Sequence, residues 1–221
     1  MHKMVEPSEF TPELRYSVSQ APWMWWSKAR LLRGAAELIM CAQEAKIQSY
    51  VAAAKIAEEK AAIEGWAEIE ADCPDFLTPM MLYAFAIENL LKGLIIAKDP
   101  SRISMTKLNP AITEHDLLKL ADLAGMRIGD GMERVVLKIL SEIGIWAGRY
   151  PTATRVNHQE TVFPLGVPTN RAINWGTAHD SVREFFHRAE GKLREQNVPL
   201  EEVPERDVIY QLAEENSASS S

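Results

Sequence analysis

Apolar side chains recur at three- and four-residue spacing along most of the chain, the period of a helix with one buried face. From Ser27, read as an N-cap, to about Ala71 the sequence is Ala-rich and free of proline, with Leu32, Ala36, Ile39, Ala42/Ala45 and Tyr50/Val51 in helical register. A single helix here would run about 65 Å. It is therefore expected either to break, with Gly65 the obvious place, or to project beyond the rest. Thr78-Pro79 supplies a cap with proline at the first helical position, and Met80 to Ala97 is apolar almost all round, as a central buried helix would be. Thr113 is read as the cap of a short helix from Glu114 to Ala124 that Gly125 ends. Val135/Val136, Ile139/Leu140, Ile143 and Trp146 mark one face of a helix from Met132 to Ala147. Val182, Phe185/Phe186, Ala189 and Leu193 mark another from Ala178 to Gln196.

Prolines at 151, 164 and 168 make 151–177 irregular, with a short extended piece over 160–165, and no strand-turn-strand pattern competes with the helices. The expected fold is all-α: an antiparallel bundle of four to five helices with one long N-terminal helix and a flexible C-terminal tail. Residues 1–22 read as an irregular lead-in, 23–198 as the helical domain and 199–221 as an acidic, mostly disordered tail.

Composition sharpens this only in places. The chain of 221 residues is 47% hydrophobic and 25% charged, the balance of a globular domain that needs no disulfide or metal to fold. Two cysteines, Cys41 and Cys73, are too few for a disulfide framework and point to a reducing cytoplasm. The first residues lack the apolar stretch of a signal peptide, and charges interrupt the apolar runs, so no membrane is expected. The formal charge of −7 is uneven: Glu190 to Glu215 holds eight acids and three bases, which leaves −2 for everything else. Only the tail repels phosphate strongly.

Motifs for phosphate loops, dinucleotides, serine hydrolases and zinc are missing, so those classes have no anchor. Glu184-x-x-His187 has the spacing of half a di-iron site, but no second copy exists, and neither metal nor cofactor is expected. His179, Arg183 and His187 recur every four residues and read as a cationic ridge at the bundle edge. Glu88 and Lys92, spaced i,i+4 on the apolar helix, are the candidates for a paired charge at a site. Trp146-Ala-Gly-Arg149-Tyr-Pro, followed by Arg155 and His158, places a guanidinium where it can hold a phosphate in two-pronged fashion. A histidine follows that can transfer protons near neutral pH.

The run Tyr83-Ala-Phe-Ala-Ile-Glu88-Asn-Leu-Leu-Lys92-Gly-Leu, then His115-Asp-Leu-Leu-Lys-Leu-Ala, then Trp146-Ala-Gly-Arg149-Tyr-Pro resembles the HEPN superfamily of small helical domains. The resemblance covers roughly 23–195, with its motifs between 79 and 151. It implies an up-and-down bundle, commonly a homodimer, and in many members a metal-independent endoribonuclease of toxin–antitoxin or phage-defence systems. Taken with the residues singled out above, Arg149 and His158 are the catalytic candidates and Glu88, Lys92, His115 and Arg155 the ligand-binding ones, with Arg149 matching the family's Arg. RNA or nucleotide would be the ligand and an antitoxin-type protein a partner. The family's Arg is followed four to six residues later by His; here eight residues separate Arg149 from His158 and two separate Arg155 from it. The alternative is a non-catalytic, dimeric HEPN-like module that binds a ligand or a protein.

Overall fold

The computed structural model describes residues 11–129, 131–147, 175–198 and 200. Among them the chain is all-α, without a strand: α1 (Pro12–Val18), α2 (Pro22–Ala42), α3 (Glu44–Glu64), α4 (Leu77–Lys98), α5 (Leu117–Leu123), α6 (Met132–Glu142) and α7 (Trp175–Arg194). Single 3₁₀ turns at Pro100–Arg102 and Pro110–Ile112 connect α4 to α5, and a π-helical turn, Ile143–Ala147, continues α6.

The centre is α4. Its thirteen buried residues run from Pro79 to Ile96, and α2, α5, α6 and α7 all pack on it. Among the described residues it is the one helix long and apolar enough to cross a membrane. Yet 67% of that stretch is buried by the rest of the protein, so packing accounts for its apolarity. α2 lies close against α4 at Gly93, where an added Cβ would lie 3.1 Å from the Trp25 Cβ and 3.2 Å from the Pro22 carbonyl oxygen. Trp26 fixes α2 to α7 by donating its indole N–H to Glu190 Oε1 at 2.7 Å. Phe185, Phe186, Val182, Ala189 and Leu193 of α7 are all buried, as their spacing predicts.

Several boundaries differ from the sequence expectation. The lead-in contains a helix: Thr11 accepts from the Leu14 N–H at 3.2 Å and Pro12 sits at the first position of α1. Pro22 likewise opens α2, so Ser27 lies inside a helix and caps nothing. The expected long helix ends at Gly65, in the left-handed conformation at φ +83, but it also breaks at Gln43. The cause is tertiary. The Gln43 amide accepts from the Asp75 N–H at 2.6 Å and donates to the Asp75 carbonyl at 3.1 Å, so it pins the returning loop to the helix junction.

α4 starts at Leu77 rather than Met80, with the Asp75 carboxylate taking the Thr78 N–H at 3.0 Å. α5 is capped by Asp116, not Thr113: its carboxylate accepts from Leu118 and Lys119. The Thr113 hydroxyl instead donates to Pro110. The piece at 160–165 and the tail 201–221 lie outside the described residues.

Candidate functional site

Two polar clusters interrupt the apolar surface of α4. The first is built from residues the sequence singles out. Lys92 donates to Glu88 Oε1 at 2.7 Å, one turn away, and both are largely enclosed, at 5% and 13% side-chain exposure. The ammonium stands 6.0 Å from the Trp25 ring centroid. The same Glu88 oxygen receives His115 Nδ1 at 3.0 Å, and His115 is 55% exposed. Glu88, Lys92 and His115 thus come together, across a sequence gap that no helix period spans.

Local structure holds His115 there. The Glu114 carboxylate accepts from the backbone N–H of His115 at 2.9 Å and of Asp116 at 3.1 Å, contacts that keep it below the usual carboxylate range. Just beyond, the Leu117 N–H donates to Ser141 Oγ at 2.9 Å, and that hydroxyl donates to the Leu137 carbonyl. The start of α5 is therefore anchored on α6 by a buried bond.

An ionised carboxylate only accepts, so the His115 Nδ1 facing Glu88 carries a proton, and in the neutral imidazole Nε2 is then the free base. This is a carboxylate-oriented histidine, with the carboxylate itself fixed by a buried lysine. Glu88 and Lys92 cancel in charge. Any phosphate at His115 needs another cation, since the Lys92 ammonium is sealed beneath Trp25.

Arg149, Arg155 and His158 lie outside the described residues. The described chain before them ends in the π-helical turn, where a Cβ on Gly144 would lie 3.4 Å from the Cβ of Ala84. Ala84 is one turn before Glu88 on α4.

The second cluster escaped sequence reasoning. Tyr83, fully buried, donates its hydroxyl to Glu37 of α2 and lies 3.2 Å from His179 Nε2 of α7. Arg183 Nε pairs with the same Glu37 oxygen at 3.0 Å, and His179 stands 3.6 Å from the other. Burial, reinforced by the Glu37 carboxylate, pushes the Tyr83 phenol far above its ordinary range. Burial lowers His179, partly offset by Glu37. The tyrosine proton goes to Glu37, so the phenol oxygen accepts from His179 Nε2–H.

The expected ridge of His179, Arg183 and His187 accordingly splits. Its first member turns inward at 15% exposure while His187 is exposed, because eight residues rotate a helix about 80° away from its starting face. Glu184 and His187 are both exposed, and no three metal-ligating side chains gather among the described residues.

The chain matches no protein-family model, no curated protein and no solved structure. Its site must be read from its own chemistry.

Proposed function

We propose that the protein is a HEPN-like, metal-independent RNA-acting protein, in which His115 is the general base and Glu88 orients it. The observation that carries this is the hydrogen-bonded set His115–Glu88–Lys92, with the imidazole open to solvent and the carboxylate and ammonium enclosed behind it. In the reaction Nε2 takes the proton of an RNA 2′-hydroxyl. The 2′-oxygen attacks the adjacent phosphorus and the bond to the 5′-oxygen breaks; that oxygen takes a proton from water, which leaves a cyclic phosphate and a 5′-hydroxyl. Glu88 stabilises the imidazolium so formed. Arg149, with its two-pronged guanidinium, is the cation this reading assigns to the phosphate, and Arg155 and His158 follow it in the same segment. The packing of α2, α5, α6 and α7 around α4 supports the antiparallel bundle that this reading entails. A cytoplasmic homodimer, met by an antitoxin-type partner, completes it.

The test is labelled RNA incubated with the full chain in excess EDTA. Cleavage to cyclic-phosphate ends is expected. His115→Ala should slow it by about 10²- to 10⁴-fold, the usual worth of a positioned base. Arg149→Ala should weaken it comparably.

A second reading is favoured by one observation: Lys92, the cation of the described set, is sealed from any ligand. On that reading the chain is a non-catalytic module of the same fold. Binding of RNA without cleavage under any condition would select it.

A further inference from the structure

The loop between α5 and α6 and one face of α7 border an open cleft of about 700 Å³, lined by Gly125, Met126, Arg127, Arg188, Lys192 and Glu195. We propose that this cleft is a second phosphate-holding subsite, which grips a single-stranded RNA downstream or upstream of the bond presented to His115. This rests on the reading of His115 as an RNA site.

The cleft is basic by construction. Arg127 is exposed and Arg188 and Lys192 are about half exposed; Lys98 of α4 stands at the same corner, donating to the Ala124 carbonyl at 2.6 Å. Two carboxylates, Glu133 and Glu195, meet these four cations, so a positive surplus remains. Arg188 is held ready: one nitrogen, Nη2, bonds both Glu133 at 2.5 Å and the Arg127 carbonyl at 3.3 Å, and the guanidinium lies 5.5 Å from the centre of the Phe185 ring. A guanidinium has five N–H donors, so its remaining ones are left for a ligand. Gly125 keeps the corner open. Its φ of +64 disfavours any side chain, and a Cβ there would meet Lys98 Nζ at 2.6 Å.

Geometry makes the ligand a strand rather than a mononucleotide. α5 lies along α4, with His115 against Glu88 at one end and Ala124 against Lys98 at the other. Those two α4 positions are about 15 Å apart along the helix. One nucleotide cannot engage both ends, whereas a short single strand following α5 can. The cleft is open and backed partly by Met126, which suits a backbone laid across it and not an enclosed small molecule.

The experiment measures fluorescence anisotropy of a labelled 2′-O-methyl RNA of about ten nucleotides, a length within the range of ordinary single-strand sites. The 2′-O-methyl group removes the attacking hydroxyl, so binding is read without cleavage. Full-length wild type is compared with Arg127→Ala/Lys192→Ala, and with Arg127→Gln alone as the milder change. The double variant should bind about 10-fold or more weakly, with a salt dependence shallower by about 1.4 in log–log slope, the share of two phosphate contacts on a single strand. Arg127→Gln should give about half that change in slope, and a dinucleotide should bind wild type and variants alike. Equal affinity and slope for wild type and both variants would overturn the subsite while leaving the RNA reading intact. Failure of wild type itself to bind the RNA would overturn both.

Discussion

His179 is a half-buried imidazole whose neutral form the fold prefers, since desolvation outweighs the pull of Glu37. The sign of its effect on stability follows. An unfolded chain takes up the proton near the ordinary value of 6.5, and the folded one resists until lower pH. Its contribution is fully present above that value and is lost as the pH falls from there through the folded pKa. The melting temperature should therefore decline between pH 7 and pH 5, and His179→Gln should flatten that decline while lowering the plateau. An unchanged pH profile in the variant would show that other groups set it.

The meeting of Tyr83, Glu37 and His179 could not be found from spacing, because they stand on three helices and their contacts depend on which helices meet. Glu88 was legible for the opposite reason: a carboxylate and an ammonium in an otherwise apolar run are conspicuous where they stand. His115 lay between these cases. Its sequence position reads as the start of a helix, and only the packing of α5 along α4 brings its Nδ1 to Glu88.

At the scale of elements, the anchoring of α5 on α6 through Ser141 links stability to the site. Ser141→Ala would leave the buried Leu117 N–H without its acceptor, at a cost of about 1–3 kcal/mol. Since His115 lies two residues before Leu117, the same change should lower the rate of the proposed RNA cleavage beyond what lost folding explains. Denaturant unfolding and cleavage at saturating RNA, measured on the same preparation, separate the two effects.

α4 was the most legible element, because its apolar character runs all round and proline and aspartate bound it. The break between α2 and α3 was hidden, since glutamine is a good helix former and the reason for stopping at Gln43 is a loop some thirty residues away. α1 carries the same Thr-Pro signal that was read at Thr78-Pro79, but a seven-residue helix gives periodicity too little length to register. The π-helical turn after α6 left no mark either.

Viewed as a whole molecule, the protein divides its helices unequally. α2, α4, α5, α6 and α7 share one apolar interior, whereas α3, as long as α2, buries only Ala57. Val51, Ile56 and Ile63 on α3, and Trp66 just past its end, are exposed, Ile63 at 88% and Trp66 at 74%. What ties α3 down lies along its edge: the Gln43–Asp75 amide pair, Tyr50 against Phe76 at 6.2 Å and a loose Lys60–Glu70 contact. Most of a helix's stability in a protein comes from packing an apolar face, and α3 has little of it. The consequence is a molecule with two opening energies. Amide protons of α3 should exchange with deuterium through local unfolding, orders of magnitude faster than those of α4, which wait for the whole interior to open. If the proposed homodimer forms through the bare face of α3, its protection will rise with protein concentration while that of α4 stays constant. Exchange rates in α3 that are already slow and independent of concentration would show that this helix is held within the monomer itself.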